Sequence, residues 1–154
     1  MKLINKREGC FETNSSSSHS IHIRGESKIG WPKNKNKVYE LEFDEFGWGI
    51  THHDDFYTKA SYLLTAIGSY INADALEDIE NSKHYKEFVR IIAEATGHTV
   101  IVSECGGYHK LGYIDHQSSD FARGLVEALF TKPNFIKRYL FDSSFILNID
   151  NDNH

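Results

Sequence analysis

A chain of 154 residues fits one domain built on one hydrophobic core. Its 40% apolar content, with aromatic rings at 13%, excludes disorder of the whole chain, because large rings bury much area per residue. The formal net charge of −5 argues against general affinity for nucleic acid, which needs several lysines or arginines against phosphates.

Lys2 to Ile4 can form a short first strand. From Ser20 to Arg24 the residues alternate, Ile21 and Ile23 pointing one way and Ser20, His22 and Arg24 the other, which is the period of a half-buried strand. Gly25 to Lys37 reads as a loop, basic through Lys28, Lys33, Lys35 and Lys37 and opposed by Glu26. The clearest strand follows, with Tyr39, Leu41 and Phe43 expected to be buried together and Glu40, Glu42 and Asp44 on the wetter side. Gly47 and Gly49 mark a turn around Trp48. Thr51 is expected to cap a helix, with Asp54 in the capping-box position, and Phe56, Ala60, Leu63, Leu64, Ile67 and Ile71 share its apolar face.

An acidic connection with a turn of helix near Ala75 to Ile79 leads to a second helix over about Ser82 to Thr96, which Gly97 ends in a left-handed conformation. His98 to Val102 reads as a buried strand, and Tyr108 to Ile114 as its hairpin return after Gly106 and Gly107. Ser119 or Asp120 caps a third helix, Pro133 opens a fourth that ends near Phe141, and Phe145 to Ile149 is the last strand. The expected fold is α+β: a small mixed or antiparallel sheet packed by about four helices, in a single domain over residues 1–149 with a flexible tail at 150–154.

Cys10 and Cys105 are expected to be reduced thiols. Met1 to Cys10 carries charges and does not read as a signal peptide, and no stretch reaches the roughly 20 apolar residues of a membrane helix. The expectation is a cytoplasmic protein without membrane attachment or cofactor.

The run from Arg7 to Ser20 is the most informative stretch. Small polar residues in series leave backbone N–H groups uncovered, and such a loop wraps an anion when it curls into a nest. Arg7 and Arg24 are placed to neutralise that anion. His19 supplies a base beside several hydroxyls, the minimum for an activated nucleophile such as Ser16. The competing interpretation is a flexible Ser-rich linker. Phe11 and the Ile21/Ile23 strand anchor both flanks of the run, which favours the ordered loop.

Phe11-Glu12-Thr13-Asn14-Ser15-Ser16-Ser17-Ser18-His19-Ser20 resembles the opening of a family of uncharacterised proteins from bacteriophages and low-GC Gram-positive bacteria. Gly112-Tyr113-Ile114-Asp115-His116-Gln117-Ser118 is similar to a second segment of those proteins, and the end from Tyr139 to Asn151 more loosely so. The resemblance implies a phage or prophage setting and supplies no mechanism.

Asp115 to Ser118 occupies a loop between a strand and a helix, a position that catalytic residues favour, although a helix-start cap explains it as well. His52-His53-Asp54-Asp55 is explained by a capped helix start, and no metal-ligand spacing completes it. Trp31 in the basic loop can stack a base, although a solvated loop is the commoner meaning of such charges.

The candidate catalytic residues are therefore His19, His116 and Ser16, and the candidate ligand-binding residues are Arg7, Asn14, Ser15, Ser17, Ser18, Arg24 and Asp115. Two classes of function follow. One is a phosphate- or nucleotide-handling protein acting on a small phosphate-containing ligand by binding, hydrolysis or transfer. The other is a non-catalytic, phage-encoded inhibitor that meets a host protein through the acidic face of Glu40, Glu42 and Asp44. The expectation for the site is that Asn14 to His19 forms an ordered loop near His116, with Arg7 or Arg24 on its rim.

Overall fold

A computed structural model describes residues 17–47, 49–115 and 118–151. Along the chain come β1 (Ser17–Ile23), β2 (Val38–Glu42), β3 (Glu45–Phe46), β4 (Ile50–His53), α1 (Phe56–Tyr70), α2 (Leu76–Glu80), α3 (Lys83–Thr96), β5 (Thr99–Ser103), β6 (Tyr113–Ile114), α4 (Ser119–Thr131), α5 (Pro133–Phe141) and β7 (Phe145–Asn151). The fold is α+β. Its five described helices include Leu76–Glu80 as a separate element. β7 is the middle strand of an antiparallel sheet ordered β1-β7-β4, while β2 pairs with β5 and β3 with β6 in two short parallel ladders. No helix among the described residues is long and apolar enough to cross a membrane.

The core forms around α1. Phe56, Ala60, Leu63, Leu64 and Ile67 are buried as their helical spacing predicts, but Lys59, Tyr62, Thr65, Ala66 and Gly68 are buried too, so from Tyr62 to Gly68 no side of this helix meets water. Ile71, at its end, is only half-buried. Tyr39, Leu41 and Phe43 are buried and Glu40, Glu42 and Asp44 exposed, the alternation that a strand with one wet face requires. Gly97 ends α3 with φ of 76°, and Pro133 opens α5, where its missing N–H has no helical partner to lose.

Five local expectations are corrected. Thr51 does not start a helix: Ile50–His53 is strand β4 on the edge of β7, and the cap of α1 is Asp55, whose Oδ2 accepts the Thr58 N–H at 2.8 Å. The β5–β6 hairpin is absent, because the Gly106–Gly107 loop closes on itself through Cys105 N–H to Lys110 O at 2.7 Å, and β6 then joins β3 instead. β5 is a half-exposed strand rather than a buried one, with Ile101 57% exposed. Asp150 and Asn151 belong to β7, opposite Ser18 and Ser17, so they are not part of a loose tail. Ile23, at the end of β1, is exposed although Ile21 is buried. Cys105 is a free, half-buried thiol, while Cys10, residues 2–4 and residues 152–154 lie outside the described residues.

Gly112 delivers the chain into β6. Its φ is +78°, and a β-carbon there would lie 2.4 Å from Asp44 O and 2.7 Å from Thr65 Cγ2. The next residue, Tyr113, donates its N–H to that same Asp44 carbonyl at 3.0 Å. Gly112→Ala is expected to lower the unfolding free energy by about 2–4 kcal/mol, since strain and clash add at one position. Urea denaturation of the two proteins checks this, with an unchanged midpoint as the contrary result.

Candidate functional site

Position 19 lies in β1 opposite Ile149, on the sheet face that packs against α1. There the His19 side chain is buried, with Nδ1 2.7 Å from the Tyr62 hydroxyl and the two rings edge to face at 5.6 Å. Tyr62 is itself walled by Phe46 and Phe121. Burial disfavours charge on both groups. It pulls His19 down from its ordinary value of 6.5 to about 4, opposed in part by the negative charge of Asp115. It drives the Tyr62 hydroxyl well above 10, and Asp115 pushes in the same direction. At neutral pH the pair is an uncharged imidazole against a protonated phenol, with a carboxylate near enough to bias both.

Asp115 reaches this place through the backbone. Its N–H donates to Phe46 O at 3.1 Å, continuing the β3–β6 ladder, and its carbonyl accepts the Ser118 N–H at 2.8 Å in the turn that starts α4. Two polar segments remote in sequence thus act on Tyr62, His19 by a hydrogen bond and Asp115 by its charge.

The other predicted residues divide. Ser17 and Ser18 are in β1, paired with Asn151 and Asp150. Ser17 to His19 is therefore strand rather than the expected loop, its successive N–H groups turned to opposite sides. Arg24 follows the far end of β1, about 17 Å from His19 along an extended chain, with its N–H on Ser144 O at 2.8 Å. It is not on the rim of this site. Arg7, Asn14, Ser15, Ser16 and His116 lie outside the described residues.

His52 and Asp55 belong to different elements, strand β4 and the cap of α1. His52 Nδ1 is hydrogen-bonded to Asn148 Oδ1 across β4 and β7, and Asp55 is occupied as the α1 cap. Ser20 stands opposite Asn148 on the other flank, which makes a polar row of Ser20, Asn148 and His52 across the sheet face turned away from His19. Trp31 is half-buried, edge-on to Phe141 at 5.7 Å with Lys33 over its ring at 5.8 Å. It borders a cavity of about 320 Å³ with Phe56, Phe141, Lys28 and Asp54 rather than standing free to stack a base.

A second cleft, of about 410 Å³, opens between α1 and α4. Ile114 and Ser119, which flank the Asp115 turn, line it together with Ser69, Asn72, Arg123 and Glu127. Ala66 on its floor is one helical turn from Tyr62. The Tyr70 hydroxyl donates to Glu127 at 3.3 Å on one wall. Tyr62, Arg123 and Asn72 did not stand out in the sequence. The available signals were the spacing of Ser119, Arg123 and Glu127 at four-residue intervals on one helix face, and a tyrosine hydroxyl inside an apolar stripe.

No family model, curated protein or solved structure matches the chain.

The buried histidine makes stability depend on pH. In the unfolded chain His19 takes up a proton below about 6.5, whereas in the folded state it resists until about 4. Between those values the unfolded state binds more protons, so stability falls as the pH is lowered, by about 2–3 kcal/mol at about pH 4.5 relative to neutrality. His19→Gln is expected to remove this share of the acid sensitivity. Urea midpoints for both proteins at the two pH values measure it, and parallel profiles would contradict the assignment.

Proposed function

We propose that the protein handles a small phosphate-containing ligand in the cleft between α1 and α4, with the His19–Tyr62–Asp115 group moving a proton beside it. The observation that carries this reading is the buried hydrogen bond between His19 and the Tyr62 hydroxyl, under the charge of Asp115, with Tyr62 one helical turn from Ala66 of the cleft. A neutral imidazole can accept a proton, and a nearby carboxylate stabilises the imidazolium that forms. Tyr62 fixes the ring, which gives it a positioning role. On the cleft wall Arg123 offers a guanidinium for charge-assisted bonds to phosphate oxygens, and the Ser69, Asn72 and Ser119 side chains add neutral donors. Arg123 already pairs with Asp120 at 3.2 Å on an exposed surface, an ion pair weak enough to exchange for a ligand. The phage or prophage setting, and with it the cytoplasm of a bacterial host, belongs to the same proposal.

A second reading has an observation of its own: Glu40, Glu42 and Asp44 are all exposed, which suits a basic surface of a host protein.

Calorimetric titration with inorganic phosphate, nucleoside mono-, di- and triphosphates separates the two. Binding is expected, weakened about tenfold or more by Arg123→Ala and unchanged by Arg24→Ala. His19→Gln is expected to keep binding and lose any turnover. Absence of binding by every ligand in the series, or an Arg123→Ala variant that binds as the parent does, contradicts the ligand reading and leaves the acidic face as the better one.

A further inference from the structure

We infer that β5 is a self-association edge, on which two copies of the chain pair antiparallel about a twofold axis at Ile101. The strand reads Thr99-Val100-Ile101-Val102-Ser103 and carries no charge. Four of its five residues are β-branched, the type that suits a pleated ladder. On its inner edge Thr99 N–H donates to Lys37 O at 3.0 Å, and Ser103 O accepts the Phe43 N–H at 3.2 Å. Backbone groups alternate sides along a strand, so the N–H and C=O of Val100 and Val102 face outward. Among the described residues no strand pairs with that outer edge.

Sheet edges are normally guarded by lysine, proline, a bulge or an inward-pointing charge, and β5 has none of these. Ile101 is 57% exposed and sits beside Glu40 on the outer face of the β2–β5 ladder. An apolar branched side chain in an acidic surface is explained if a second copy covers it.

The sequence of the strand selects that occupant, because it is self-complementary. With the axis at Ile101, Val100 of each copy stands opposite Val102 of the other as a hydrogen-bonded pair, and Thr99 stands opposite Ser103. The two Ile101 residues form the non-hydrogen-bonded pair at the centre, with Cα atoms about 4.5 Å apart and side chains in contact. Sliding the pair by two residues brings either Glu104 or His98 opposite a valine, so the Ile101-centred register is favoured. A five-residue edge is small beside a standard interface, and two chains of net charge −5 repel, so the dimer is weak and strengthened by salt.

Sedimentation velocity from low micromolar to near millimolar protein tests this. A concentration-dependent dimer is expected, and Ile101→Lys is expected to be monomeric throughout with an unchanged thermal midpoint. In a Cys10→Ser/Cys105→Ser background, Ile101→Cys should form a disulfide-linked dimer under mild oxidation much faster than Ile23→Cys, whose site is 51% exposed. A monomer at every concentration, a dimer that Ile101→Lys leaves intact, or equal cross-linking at the two cysteines would each overturn the inference.

Discussion

A polar group taken out of water must find a partner inside, and α1 carries two such groups one turn apart in its N-terminal half. Lys59 and Tyr62 are both fully buried. The Lys59 ammonium donates to the carbonyls of Asp142 at 3.1 Å and Phe145 at 2.9 Å, which clamps the junction between α5 and β7. The Tyr139 hydroxyl of α5 returns a bond to Lys59 O at 2.7 Å. Tyr62 meets His19 of β1. The helix that fills the core is thereby tied to the middle strand of the sheet, to one edge strand and to a neighbouring helix. Burial lowers Lys59 to about 8, with Asp54, Asp142 and Asp55 restoring part of the charge preference.

Asp142 is the counterpart of that clamp. Burial opposes the charge of its carboxylate, but the Lys28 N–H, the Ser144 hydroxyl, the Ser27 hydroxyl and the Ser144 N–H all donate to it and hold it well below the ordinary carboxylate range. Arg138 adds an ion pair at 2.9 Å. These bonds fasten the basic loop after β1 to the end of α5, and they account for the order of a segment whose composition alone suggests a solvated loop. With β1 paired along β7 and the loop after it fastened, His19 is held against α1 rather than left at a surface, and burial there favours its neutral form.

Local features were legible in the sequence because they depend on near neighbours. The Tyr39–Leu41–Phe43 alternation, the Gly97 stop and the Pro133 start each rest on backbone geometry within a few residues, and each matches the structure. The α1 stripe gave the apolar side of that helix. It did not foretell the burial of Lys59, which takes partners from residues 142 and 145. The parallel β3–β6 pair, the strand at His52 and the extended form of Ser17 and Ser18 are set by pairing across long sequence separations, which no local pattern encodes. For the site, the sequence marks His19 and Asp115 as polar candidates, whereas Tyr62, which bonds His19 and feels the charge of Asp115, is hidden in an apolar run. Arg24 looked close to His19 by residue count, and a straight strand separates the two.

His19 is a buried imidazole that burial keeps neutral, an effect that the charge of Asp115 opposes in part. The most direct measurement is the imidazole nitrogen chemical shift of His19 by NMR, assigned among the nine histidines with a His19→Gln variant. The shift is expected to stay flat from about pH 8 to about pH 5 and to move only near 4. Asp115→Asn is expected to lower that midpoint further, since the carboxylate favours the imidazolium. A midpoint near the ordinary 6.5, unmoved by Asp115→Asn, would contradict the account.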